Sequence, residues 1–489
     1  MSRSDTHIQL SLVSHTNIGK TTLARTLLGR DIGEVRDQAH VTAEPEVHPL
    51  IELADGRALL LWDTPGFGDS MRLAQRLRQR GNPIGWFLGE VVDRWLNRPL
   101  WAGQQVIKNV RDESDVVLYL VNVAENPADA AYVDAEMEIL AWIGKPVIVL
   151  LNQVGEPRPA AQEAAERAVW QAHMARHPLV REVLAMDAFA RCWVQELTLM
   201  QAVAGTIDDQ RQALFADLLT AWQARRLDAY QRSLQAIAGY LTSLAGDSEA
   251  IGETGLWGKI RQTVGMTGGE AEAVRQRAME ALAGRASAGL RGLTDELIAI
   301  HGLKGRASQL LLDRLAEASR IEGAASSEGA AVVGGVLAGA LSGLSADLMA
   351  GGLTLGSGAL VGAILGALGG AGVARGYNII TGKEGAAARW NEEALNRFYG
   401  EALLLYLAVA HFGRGRGEWR RAENPPHWPG EVARQMEQAA AGLAPIWQEC
   451  ATVSSGEAPR QALAKSLQDS LDAILGRLYP ASLARRNGA

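Results

Sequence analysis

The residues best equipped for chemistry lie near the start of the chain, in Ser14-His15-Thr16-Asn17-Ile18-Gly19-Lys20-Thr21, followed by Thr22. A glycine beside a lysine and a hydroxyl residue, at the point where a strand turns into a helix, is an arrangement that grips phosphate. Backbone N–H groups of 17–21 at the helix start point at phosphate oxygens, and Gly19 lets the backbone approach with no Cβ in the way. Lys20 neutralises the β- and γ-phosphates, which makes it the catalytic cation, and Thr21 offers its hydroxyl to Mg²⁺. The spacing is that of the phosphate loop G-x-x-x-x-G-K-[ST], with Ser14 at the first glycine position. A second element supports the first. The apolar run 57–62 delivers Asp63-Thr64-Pro65-Gly66, where the carboxylate serves Mg²⁺, usually through water, and the Gly66 N–H faces the γ-phosphate. Together they predict a nucleotide site, with Ser14, Asn17, Ile18, Gly19, Lys20, Thr21, Thr22 and Gly66 on the nucleotide and Thr21 and Asp63 on the metal.

The elements that must hold this site in place are legible around it. HIQLSLV (7–13) is strand-like and leads into the helical TTLARTLLGR, while EVHPLIEL (46–53) and RALLLW (57–62) flank the hairpin signal Asp55-Gly56. SDVVLYLVNV (114–123), a helix over 129–144, KPVIVLLN (145–152), a helix near 159–176 and VREVLAM (180–186) follow. Apolar strands separated by amphipathic helices predict a doubly wound α/β domain over 1–205, mostly parallel with one antiparallel edge pair. A helical insertion over about 70–113 carries Trp86, Trp95 and Trp101, which serve either a nucleotide-sensitive partner surface or packing onto their own domain. From about 190 to 322 the strand signal vanishes. A helical region over 206–322, broken by GETGLWGK (252–259), precedes a Gly/Ala-rich helical hairpin (323–385) and a C-terminal helical region (386–489) with loops at 413–417 and 423–430.

The chain has 489 residues, with 48 basic and 55 acidic side chains for a net charge of −7. Such length leaves room for two to four domains, and the acidic balance argues against nucleic acid as the principal partner. Two cysteines, Cys192 and Cys450, give no disulfide framework and fit a reducing compartment; neither has histidine at metal-ligand spacing. The amino-terminal stretch lacks a basic flank followed by an apolar core, so no signal peptide is expected and the chain reads as cytoplasmic.

Asn17 within NIGKT resembles the Era-like branch of the translation-factor-related P-loop GTPases, and DTPGFGD (63–69) is similar to the switch II of septins and Era relatives. The resemblance covers roughly residues 7–190. The whole chain also looks like a bacterial group that joins such a GTPase to a helical C-terminal domain of unknown function. The resemblance implies GTP or GDP as ligand and a switch I threonine, for which Thr42 is best placed, on Mg²⁺ and in catalysis. It implies guanine recognition by Asn-Lys-x-Asp after the fifth core strand. Here that place holds Asn152-Gln153-Val154-Gly155, so the discriminating carboxylate is missing unless Glu156 substitutes, and both GTP and ATP stay open. Asp187, after the last strand, is either a base contact or a helix N-cap. Phe67 stands where Ras-type enzymes place the water-orienting glutamine. The resemblance then implies slow intrinsic hydrolysis, accelerated by K⁺ held partly at Asn17, by homodimerisation through the G domain, or by another partner.

Segment 329–374 contains fourteen glycines in 46 positions, with Asp347 its lone charge. Roughly 20 apolar residues span a bilayer core, so the segment qualifies as a hairpin. Gly358, Gly362, Gly366 and Gly370 recur every four residues, as in close helix–helix packing. Membrane insertion and a tightly packed hairpin in the soluble domain both remain open. Arg375, Lys383, Arg414, Arg416, Arg420 and Arg421 would lie on the cytoplasmic side of such a hairpin, and the last four either attract anionic lipid or form a solvated loop. The leading expectation is a nucleotide-dependent switch whose helical half engages a membrane or membrane protein. The alternative is a membrane-remodelling scaffold whose assembly is nucleotide-controlled and whose hydrolysis is incidental. An RNA-binding assembly factor is the weaker third.

Overall fold

The structure, a computed structural model, describes residues 6–29, 32, 45–80, 98–152, 160–186, 193–251, 268–303, 377–382, 385–411, 428–452 and 456–479. Thr42, Gln153, Asp187, Trp86, Trp95, the break at 252–259, the glycine-rich 329–374 and the basic residues at 375, 383, 414, 416, 420 and 421 lie outside them. The described residues form two compact units, one reaching Leu227, the other built mainly from Asp228–Ala410 and the last two helices.

The first unit is the expected α/β domain. Its sheet comprises β1 (His7–Ser14), β2 (Glu46–Glu52), β3 (Ala58–Asp63), β4 (Val116–Asn122), β5 (Val147–Asn152) and β6 (Val180–Ala185) in the order β2-β3-β1-β4-β5-β6. β3, β1, β4, β5 and β6 run parallel, and β2 pairs antiparallel with β3 across the Asp55-Gly56 turn, where Gly56 has φ 82°. The helices are α1 (Lys20–Leu28), α2 (Ser70–Arg80), α3 (Arg98–Glu113), α4 (Ala131–Ile143), α5 (Ala160–Met174), α6 (Trp193–Ala204) and α7 (Gln212–Gly246).

Period-two side-chain alternation explains why the central strands are apolar throughout. On β4 and β5, Val116, Leu118, Leu120, Ile148 and Leu150 meet α1, α6 and the start of α7. Val117, Tyr119, Val121, Val147, Val149 and Leu151 meet α2–α5 on the other face. Each such buried side chain contributes about 1.5–3 kcal/mol, so truncating Leu118 to alanine costs about 2–5 kcal/mol. Helices α2 and α3 place Leu73, Ala74, Val106, Ile107 and Val110 in the second core. Trp101, the one insertion tryptophan among the described residues, is half-buried.

The second unit combines the rest of α7 with α8 (Gly268–Ile300), α9 (Glu392–Ala410), α10 (Trp428–Thr452) and α11 (Glu457–Leu478). Helix α9 is buried around most of its circumference and carries Tyr399 and Tyr406 into the core. The Tyr399 hydroxyl lies 3.0 Å from both Ser466 Oγ and Ser470 Oγ on α11, and Trp447 Nε1 of α10 donates to Asn396 Oδ1 at 2.8 Å. Between α7 and α8, the Tyr240 hydroxyl donates to the Ala286 carbonyl at 3.2 Å.

This half departs from expectation in two places. Strands do occur: β7 (Glu249–Ile251), β8 (Tyr377–Gly382) and β9 (Gly385–Trp390) form an antiparallel sheet in the order β7-β9-β8. The alanines of β9 favour helix intrinsically, but pairing on both sides and burial of Ala388 against Ala278 and Leu282 override that preference. The loop expected through 430 ends earlier, because Trp428 opens α10 with Pro429 in its first turn, where a missing N–H costs nothing. No helix among the described residues is long and apolar enough to cross a membrane.

Candidate functional site

Parallel strands carry their ligand sites at their carboxyl ends, where the chain leaves one strand and turns to either side. Here β1 sits between β3 and β4, and the ends of β1, β3 and β5 bring Ser14, Asp63 and Asn152 to the same sheet edge. The loop 15–19 follows β1 and α1 begins at Lys20. Its turn requires positive φ at two positions, Asn17 (65°) and Gly19 (95°). Asparagine and glycine are the residues that adopt this conformation at least cost. No side chain caps α1 and its first turn holds no acid, which leaves an N-terminus suited to an external anion.

Lys20 is buried, and its Nζ donates to Ser14 Oγ at 3.0 Å. The serine at the first loop position thus supplies an acceptor that glycine lacks. Thr21 Oγ1 donates to Asp63 Oδ2 at 2.7 Å, while Asp63 Oδ1 is buried and has no hydrogen-bond partner. Burial holds the Lys20 ammonium below its ordinary pKa, opposed by the charges of Asp63 and Glu136. Burial likewise pushes the Asp63 carboxyl above the usual range, opposed by the Thr21 hydrogen bond and Lys20.

The donor set tests favourably for Mg²⁺. A hard cation takes hydroxyl, carboxylate and water oxygens, and Thr21 and Asp63 supply the first two with one orphaned carboxylate oxygen to spare. Gly66 approaches the loop so closely that a Cβ would lie 2.9 Å from Thr16 Cα. The next residue locks that approach: Phe67 N donates to the Ser14 carbonyl at 3.0 Å, and the Phe67 side chain is wholly buried. Phe67 is a core residue and presents nothing to a water nucleophile. Thr64 Oγ1 adds a hydrogen bond to the Leu12 carbonyl at 2.6 Å.

Asn152 is fully buried at the end of β5, and its Nδ2 donates to the Ile18 carbonyl at 2.8 Å, tying this strand to the phosphate loop. Ile18 itself points into the core, and Thr22 is buried on α1. Ser14, Asn17, Ile18, Gly19, Lys20, Thr21, Thr22, Asp63, Gly66 and Asn152 therefore gather around one sheet edge.

A buried polar cluster beneath the loop escaped the sequence reading. His15 Nδ1 lies 2.9 Å from Glu136 Oε1 on α4, the Tyr119 hydroxyl of β4 donates to Glu136 Oε2 at 2.7 Å, and His15 stacks on Tyr132 at 4.4 Å. Burial raises the Glu136 pKa, opposed by His15 and Tyr119. The signal was present: Glu136 sits on the face of α4 that carries Val133, Ile139 and Leu140.

Fold and site define a P-loop GTPase domain, and residues 9–153 match the family model described as 50S ribosome-binding GTPase. Residues 172–471, more than half of the chain, match the model described as a domain of unknown function, DUF3482, and the chain belongs to that family. No curated protein matches. Among solved structures, an Aquifex aeolicus Era variant bound to GDP·AlF₄⁻ aligns at 18% identity and TM-score 0.29, covering 42% of this chain and 58% of that one. Era with MgGDPNP and a 16S ribosomal RNA fragment aligns at 17% and 0.29, again over 42% and 58%. A structure titled on the dimerisation of the chloroplast translocon components atToc33 and psToc159 aligns at 12% and 0.28, over 43% and 86%. The chain thus spans 58% of the length of these Era structures.

Proposed function

We propose that the protein is a slow GTPase switch, in which a G domain over 1–205 reports its nucleotide state to the helical regions 206–322, 323–385 and 386–489. The observation that carries this reading is the pairing of Thr21 with Asp63 beside buried Lys20, with one Asp63 oxygen left over. Lys20 moves from Ser14 Oγ to the β- and γ-phosphate oxygens when the triphosphate binds, which compensates a buried ammonium. Thr21, Thr42 and Asp63 would hold Mg²⁺, which when bound would supply charge neutralisation on the phosphates. The Gly66 N–H donates to the γ-phosphate, so its loss releases the segment after β3, and that release is the switch. Asn152, Gln153 and Asp187 frame the base. Phe67 orients no water, which supports a slow rate in isolation.

The resemblance to Era-like proteins supports K⁺ at Asn17 and pairing of two G domains as accelerators. The glycine spacing of 329–374 supports attachment to the cytoplasmic membrane face, or assembly on it, as the output. The test is single-turnover GTP hydrolysis at rising protein concentration, in K⁺ and in Na⁺, with Lys20→Ala as the blank. A slow rate that climbs with concentration or K⁺ supports the reading. A fast rate independent of both, or a rate equal to that of Lys20→Ala, removes it. Flotation with anionic vesicles, comparing the full chain with one lacking 329–374, separates membrane attachment from a soluble hairpin.

A further inference from the structure

Away from the nucleotide site, three side chains from two helices and the turn after the second converge on one point. Asp134 lies on α4, His173 in the last turn of α5, and His177 four residues later, where the chain continues in turns hydrogen-bonded to His173 and Met174. His173 Nε2 lies 3.2 Å from Asp134 Oδ1, and His177 Nε2 lies 3.5 Å from the same oxygen. All three ligand atoms fall within 4.8 Å of one another. A tetrahedral ion with bonds of about 2.0–2.1 Å separates its ligand atoms by about 3.3 Å, so both measured edges fit around one ion. His177 Nε2 is enclosed and has no hydrogen-bond partner. The histidine side chains are 11% and 20% exposed, against 56% for Asp134, so the cluster is walled on the imidazole side and open on the carboxylate side. The wall is apolar: Trp170 and Met174 are buried there, and Trp170 stands edge-on to His173 at 6.2 Å.

A cation already sits at this point. Arg176 Nη2 lies 3.1 Å from Asp134 Oδ1 and 2.8 Å from His173 Nε2. A guanidinium has only N–H donors, so Asp134 Oδ1 accepts from it, and the same Nη2 also lies 3.0 Å from His173 Nδ1. The Arg176 side chain is 56% exposed and can swing into solvent.

From this geometry we infer that Asp134, His173 and His177 form a binding site for a zinc-class divalent ion, with Arg176 as the resident cation that the metal displaces. Two imidazoles and a carboxylate suit Zn²⁺ over Mg²⁺ or Ca²⁺, which take oxygen ligands. Three protein ligands and an open side leave a fourth position for water, and the ion staples α4 to the end of α5. The sequence shows His173 and His177 at four-residue spacing, but nothing in it announces Asp134, 39 positions earlier, as the third ligand.

The test uses the full-length protein stripped with a chelator, titrated with Zn²⁺ against a chromogenic competitor in excess Mg²⁺, with Co²⁺ as a spectroscopic probe. Wild type should take up one equivalent and show the visible absorption of tetrahedral Co²⁺. His173→Ala and His177→Ala should bind at least tenfold more weakly and lose that absorption, and Asp134→Asn, at an exposed position that folding tolerates, should do the same. Arg176→Ala should bind more tightly, which a merely structural loss does not produce. Zn²⁺ should also raise the melting temperature of wild type and leave His177→Ala unmoved. No uptake by wild type, or equal affinity in wild type and the histidine and aspartate variants, overturns the site.

Discussion

Asp63→Asn should make the nucleotide-free protein more stable while disabling Mg²⁺-dependent nucleotide binding. In the nucleotide-free protein one Asp63 oxygen accepts from Thr21 at 2.7 Å and the other is buried with no partner. An unsatisfied buried acceptor costs about 1–3 kcal/mol, and more when it carries charge. Asparagine keeps an oxygen for Thr21 and discards the charge, at the expense of some attraction to Lys20 and of an amide group in place of the orphaned oxygen, so the gain comes from the lost charge alone. The net raised pKa of Asp63 means that burial outweighs Thr21 and Lys20 together. A gain of about 1 kcal/mol follows, or a melting shift of about 2–4 °C for a unit of this size. The pH dependence has a definite sign. A carboxyl whose folded pKa is raised contributes stability that is present below its unfolded pKa and lost as pH rises through the folded one. The advantage of Asp63→Asn should therefore vanish in acid and grow as pH climbs past the ordinary aspartate range. The assay is thermal unfolding of both nucleotide-free proteins across pH, paired with titration of a fluorescent GTP analogue in Mg²⁺. A variant that is less stable at neutral pH, yet binds Mg²⁺-nucleotide as wild type does, refutes the assignment of Asp63.

Other consequences are equally direct. Gly66→Ala places a Cβ 2.9 Å from Thr16 Cα, a backbone atom that yields only if the phosphate loop moves; GTP affinity should fall by about tenfold or more, at about 1–3 kcal/mol, with GDP affected less. Asn17→Gly and Asn17→Ala both remove the side chain, but alanine at φ 65° adds about 1–2 kcal/mol of strain; both should abolish any K⁺ stimulation of hydrolysis, and alanine alone should lower the melting temperature. Glu136→Ala strips partners from Tyr119 and His15 and should destabilise the G domain by about 2–4 kcal/mol in denaturant unfolding, whereas Glu136→Gln, which can still accept from one of them, should cost about half.

The α/β half was legible because its information is local. A strand that ends in Ser14 and turns through Gly19 into Lys20 can be read without its neighbours, and continuous apolar runs such as Val116–Asn122 signal a sheet covered on both faces. What escaped depends on distant partners. β9 reads as helix until β7, β8 and Leu282 are set around it, and the three residues of β7 are too few for periodicity to register. Glu136 was hidden differently. A charged residue within AEMEIL looks solvated unless its place on the apolar face of α4 is counted, and its partner His15 lies 121 residues away. Pro429 looked like a loop residue, although proline is as much at home in the first turn of a helix.

The carboxyl ends of β1, β3 and β5 should bind a guanine nucleotide. Equilibrium titration of wild type and Lys20→Ala with fluorescent GTP, GDP and ATP analogues in Mg²⁺ tests it most directly. Wild type should bind GTP and GDP and bind ATP weakly, and Lys20→Ala should lose about 100-fold or more when a phosphate-bound buried cation worth about 3 kcal/mol is removed. Equal affinity for ATP would show that Asn152 and the loop after it no longer select guanine. No binding by wild type would show that this edge is not a nucleotide site.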